Sequence, residues 1–143
     1  MTSDDPRRLY ERWLLELWHG DESVADEILA DDFVIHQARS QPGESETVRG
    51  PQAGIEMVQM GRAPFSELTF EIEVGPIVEG DMLAARWVGR GRYAGGIPGA
   101  TVPEGTEVTF GGIDIMRVAG GRLAEYWVSS DGISLMQQLG ALG

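Results

Sequence analysis

The closing stretch of the chain constrains the fold most. Gly120-Gly121 separates two apolar, β-prone runs, residues 108–118 and 123–130, and a double glycine supplies the positive-φ pair that a tight hairpin turn needs. The second run carries Trp127, ends at Asp131 and passes into Ile133, Leu135, Met136 and Leu139 at helical spacing. A hairpin and a short helix therefore close the chain. If the turn holds two residues, Ala119 faces Arg122, and counting back sets Asp114 opposite Trp127, Gly112 opposite Ser129 and Phe110 opposite Asp131, all six on one face. Ile113, Ile115, Tyr126 and Val128 fall on the other. A turn with an odd number of residues would break these pairings. Both faces of the hairpin are apolar, so the sheet needs two covers; a second copy of the chain on the outer face is the expected second cover.

Upstream, the period is helical first. Asp4-Asp5-Pro6 precedes Leu9, Tyr10, Trp13, Leu14, Leu17 and Trp18, the stripe of a long amphipathic helix that stops at Gly20. Ser23 and Asp26 form a capping pair for a short second helix to about Ala30, followed by a short strand Phe33-Val34-Ile35-His36. Residues 38–50 have a loop's composition and the length of a lid or site border. Pro51 opens a third helix that stops before Pro64. From Leu68 the period becomes two, through Leu68, Phe70, Ile72 and Val74 and then residues 82–93, where Ala85, Trp87, Gly89, Gly91 and Tyr93 share one face and Arg86, Val88, Arg90 and Arg92 the other. Residues 94–105 are a long Gly/Pro-rich connection. Helices come first and an antiparallel sheet comes last, in a single domain over residues 1–143.

Charge and composition exclude several functions. The formal net charge is -12, and such a field repels nucleic acid and anionic lipid. The chain has no cysteine and two histidines, which removes disulfides, thiolate zinc sites and a cysteine nucleophile, and leaves too few imidazoles for a His-rich metal site. No metal and no cofactor is expected. No apolar signal core follows the first residues, and no apolar run approaches the ~20 residues that span a bilayer. A cytoplasmic location is the resulting expectation.

The order of elements, with Asp32-Phe33-Val34-Ile35-His36, Arg86-Trp87, Gly96-Ile97-Pro98, Gly112-Ile113-Asp114-Ile115-Met116-Arg117-Val118 and the closing stretch through Leu139-Gly140, resembles the nuclear transport factor 2-like superfamily. More narrowly it resembles the SnoaL-like polyketide cyclases. The resemblance covers nearly the whole chain. It implies an α+β cone, in which N-terminal helices pack on a strongly curved, mainly antiparallel sheet around an internal pocket. It also implies a cofactor-free intramolecular aldol cyclisation, with the aspartate after the Trp strand as acid/base. That role falls on Asp131, with His36 as the polar residue of the short strand facing the pocket. The family often carries a His after the Arg-Trp strand and another where Asp114 stands; Tyr93 and Asp114 occupy those places here.

Residue chemistry leaves alternatives beside that implication. Desolvation next to Trp127 would raise the pKa of Asp131 toward that of a useful base, whereas a position as N-cap of the closing helix would lower it. His36 is equally a hydrogen-bonded core residue, and His19 a charge at a helix C-terminus. Asp114 and Asp131 sit four residues apart on antiparallel strands, about 13 Å at about 3.3 Å per residue, too far to share a proton. Trp127, Ser129, Phe110, Asp114 and Tyr93 are the expected substrate-binding residues, a flat apolar wall for a small apolar or aromatic molecule. An epoxide hydrolase or isomerase would need Asp114, Asp131 and Arg86 to converge. A carrier or sensor would need only an apolar pocket, with no perturbed carboxylate.

Overall fold

The computed structural model describes residues 5–36 and 47–141. Asp5 caps the first helix by accepting from the Arg7 amide at 3.0 Å, and Pro6 takes the first helical position, where a missing N–H is no loss. Helix α1 (Pro6–Arg12) continues through a π-helical turn, Trp13–Leu17, and its stripe of Leu9, Tyr10, Trp13, Leu14 and Leu17 is buried throughout. A 3-10 turn, Glu22–Val24, leads into α2 (Ala25–Ile28), then β1 (Leu29–His36), β2 (Thr47–Arg49) and α3 (Pro51–Arg62). Strands β3 (Phe65–Glu79), β4 (Met82–Tyr93), β5 (Glu107–Ala119) and β6 (Arg122–Ser130) follow, and α4 (Gly132–Gln138) closes the fold. The expected loop lies mostly outside the described residues, and its last part, Thr47–Arg49, is a strand.

These strands form one six-stranded sheet in the order β2-β1-β6-β5-β4-β3. Every pairing is antiparallel except β1 with β6. Register breaks along β3 mark bulges, which bend a strand and sharpen its twist. The result is the α+β cone, with helices against the concave face of a curved sheet.

The hairpin register differs from the expectation, and the turn is not the cause. Gly120 and Gly121 adopt φ 61° and 77°, a two-residue turn, and Ala119 does pair with Arg122. The pairing then runs Val118 with Leu123 but Arg117 with Glu125, so Ala124 is an extra residue in β6. Beyond that bulge Asp114 pairs with Val128, Ile113 with Ser129 and Gly112 with Ser130. One inserted residue reverses the face of everything after it. Tyr126 and Val128 therefore face inward beside Asp114, and Trp127 and Ser129 face outward.

Outward residues form a row across five strands, Ile77, Ala84, Ile115, Trp127 and His36, each paired with the next. Ile77, Ile115 and the neighbouring Ile113 and Val74 are exposed. The inner face carries the main core, Tyr10, Trp13, Leu14, Phe33, Leu83, Met116 and Tyr126 among its members. A smaller core of Tyr93, Val108 and Leu139 lies under α4 and the 94–105 connection.

Candidate active site

A cavity of about 350 Å³ opens between the π-helical turn that follows α1, α3, the concave sheet face and α4. Its walls are mostly aromatic: Trp18, Phe65, Phe70, Trp87 and Phe110 contact one another in a chain of stacked and edge-to-face pairs. Leu14, Met57, Val128 and Leu135 complete the apolar lining, and Met60, Ile97 and Ser130 also border the cavity. Among the described residues no Arg or His lines it, and the one charged group in its lining is Asp114.

Asp114 is 1% exposed. Its Oδ2 accepts from the Tyr10 hydroxyl at 2.8 Å, and its Oδ1 accepts from the Tyr126 hydroxyl and the Trp87 indole N–H, each at 3.0 Å. The Trp13 indole N–H, which makes no hydrogen bond among the described residues, adds its partial positive charge to the same carboxylate. Desolvation dominates, however, and pushes the Asp114 pKa up to about 6 despite the donors that favour the charged form. Burial, and then the Asp114 charge, hold the Tyr10 and Tyr126 hydroxyls above the usual tyrosine range, so both remain donors. Three bonds leave one acceptor position of the carboxylate open, on Oδ2.

The remaining sequence-predicted residues divide between pocket and surface. Phe110 and Asp114 line the cavity. Trp127 and Ser129 do not: the Ala124 bulge turns them to the outer face, and this corrects their placement on the pocket wall. Tyr93 lies in the smaller core, its hydroxyl accepting from the Ile97 amide at 3.1 Å. Asp131 takes the N-cap position of α4, yet its side chain caps nothing. It is half-exposed, 3.7 Å from Arg86 and outside the cavity lining. His36 stacks on Trp127 at 4.8 Å and meets Glu125 at 2.9 Å on the outer side of the sheet. Arg117, and then His36, hold Glu125 below the usual carboxylate range. His19 accepts from the Phe70 amide at 2.8 Å, which makes it a neutral structural group rather than a helix-end charge. Arg86 lies on the opposite face of β4 from Trp87, so it cannot converge with Asp114.

Sequence reasoning missed Tyr10, Trp87 and Tyr126 as partners of Asp114. The adjacent apolar pair Leu123-Ala124, both buried, is the one signal that could have found the bulge.

Residues 8–139 match the model of the SnoaL-like polyketide cyclases. The chain belongs to that family. Similar solved structures include IdmH from Streptomyces antibioticus, provisionally named a polyketide cyclase, at 26% identity and TM-score 0.81, with 95% of this chain and 99% of that chain covered. TsrD from Streptomyces laurentii is 28% identical, with TM-score 0.75 and 94% of each chain covered. AclR from Streptomyces galilaeus, provisionally named a hydroxylase, shares the fold at 20% identity and TM-score 0.76, over 95% of this chain and 96% of that one. No curated protein matches. Within the SnoaL-like fold, then, the named chemistry varies, and function has to be argued from the site.

Proposed function

We propose that this SnoaL-like protein is a cofactor-independent acid/base enzyme that closes a ring in an uncharged, largely apolar carbonyl compound, with Asp114 as the proton-transfer group. The observation that supports this reading is a single carboxylate in the wall of a largely aromatic pocket, its pKa raised to about 6 and its oxygens held by three donors. A base of that strength is matched to neutral pH. Its free acceptor position takes a proton from a carbon between two carbonyl groups; the C–H electrons pass into the enolate, which attacks a further carbonyl elsewhere in the same molecule. A new C–C bond forms, and the proton on Asp114 returns to the resulting alkoxide. A perturbed carboxylate favours this reading over a carrier. A largely apolar lining with no cation among its described residues favours a neutral substrate over an anionic one. Asp131 and His36, assigned to catalysis by family resemblance, have partners on the other side of the sheet and are not part of this proposal.

The test uses benzoylacetone, a neutral aromatic 1,3-diketone deuterated between its carbonyls. The wild type should accelerate washout of that deuterium into water. Asp114→Asn should lose about a hundredfold or more of this rate while still quenching tryptophan fluorescence on binding the diketone. Binding without exchange in the wild type would make the protein a carrier.

The exposed Ile77, Ile113, Ile115 and Val74, with the half-buried Trp127 beside Ile115, further support a homodimer in which a second copy covers the outer sheet face.

A further inference from the structure

Trp87 and Asp114 lie on different strands and out of direct register, since Trp87 pairs with Gly112 and Asp114 with Ala85. For the indole N–H to reach Oδ1 at 3.0 Å, the Trp87 side chain must lean along β5 across the backbone of Gly112. It does so in close contact. A Cβ on Gly112 would stand 2.6 Å from Trp87 Cζ2 and 2.9 Å from Cε2, the carbon bonded to the donor nitrogen. Phe70 and Phe110, both edge-to-face with the indole, bound it on its other sides. No positive φ requires a glycine at this position, in contrast to Gly120 and Gly121.

We infer that Gly112 is a positioning residue, whose missing side chain lets the Trp87 indole lie flat on β5 and donate to the Asp114 carboxylate. This rests on the reading of Asp114 as the proton-transfer group only for its catalytic consequence; the geometry stands by itself. The other groups facing Asp114 are the Tyr10 hydroxyl from α1, the Tyr126 hydroxyl from β6 and the Trp13 indole from the π-helical turn. None of them supplies one of the three atoms nearest to a Cβ on Gly112.

The experiment is a cycle of Gly112→Ala, Trp87→Phe and the double variant. Its readouts are the carboxylate titration of Asp114, by NMR with 13C-labelled aspartate, and the pH profile of diketone exchange. Trp87→Phe removes the donor, and Gly112→Ala displaces it. Each should raise the proton affinity of Asp114 about tenfold, as loss of a hydrogen bond to a charged group does. In the double variant the affinity should rise no further, because both changes remove the same bond. Phe also lacks Cζ2, the indole atom nearest to the new Cβ, so the double variant should fold at least as well as Gly112→Ala alone.

A titration unmoved by Gly112→Ala, or moved by it equally with Phe at position 87, overturns the inference. A Cβ on Gly112 would also lie 2.8 Å from the Ser129 carbonyl. If Gly112→Ala fails to fold with Trp and with Phe alike, that carbonyl is the reason for the glycine and the inference is wrong. If the titration moves and the exchange profile does not follow it, Gly112 keeps its positioning role and Asp114 loses its catalytic one.

Discussion

A carboxylate buried among aromatic rings makes the protein's stability and its activity depend on one proton. The folded-state pKa of Asp114, about 6, lies above the ~3.9 of an unfolded aspartate. Between those values the folded form binds the proton that the unfolded form has released, so stability falls as pH rises through this window. The full effect is about 3 kcal/mol. Asp114→Asn cannot titrate there. The difference in urea-unfolding free energy between wild type and this variant should therefore move against the wild type from pH 4 to pH 7 and stay level above it; parallel profiles would mean that Asp114 titrates normally. Activity should change in the opposite sense, because the base works only when ionised. Exchange by the wild type should rise with pH to a plateau above about 6, at the expense of the stability that protonation gave.

Strand β6 decides which side chains share the pocket with that carboxylate. Its first residues are readable from sequence: the Gly-Gly turn, the pairing of Ala119 with Arg122 and the alternation of apolar residues all point to a hairpin, and all are present. The Ala124 bulge then exchanges Trp127 and Ser129 for Tyr126 and Val128 on the inner face. Alternation over residues 126–129 could not reveal this, since both sets are apolar enough to be buried, and only the adjacent apolar pair Leu123-Ala124 breaks the period. Deleting Ala124 should restore the uninterrupted register, drive Tyr126 outward and set Trp127 against Asp114. We expect this deletion to abolish the cooperative urea transition, whereas Ala124→Ser, which keeps the residue count, should cost less than about 2 kcal/mol. A deletion variant that unfolds cooperatively at the wild-type midpoint would show that the bulge does not fix the register.

At the scale of the molecule, helices cover one face of the sheet and leave on the other an exposed apolar row beside ion pairs such as Arg86 with Glu73 and Arg117 with Glu125. Ile115 sits at the centre of the outer row, between Ala84 and Trp127, and a lysine there would place a charge inside any contact between two copies. Wild type should sediment as a dimer and Ile115→Lys as a folded monomer; a monomeric wild type would leave the outer face without the proposed partner. Much of this architecture follows from the sequence alone. Hydrophobic period gives helix or strand, Pro6 and Pro51 start helices, Gly120-Gly121 sets a two-residue turn, and the family resemblance carried by the order of elements and their motifs implies the α+β cone. Phe110 and Asp114 were also legible as pocket residues, Asp114 because a carboxylate in so apolar a strand requires partners. Which partners it has was decided only in the tertiary structure. Tyr10 is 104 residues away along the chain, and Trp87 27 residues away. Their meeting depends on helix packing, on one bulge and on one missing Cβ, none of which leaves a periodic trace in the sequence.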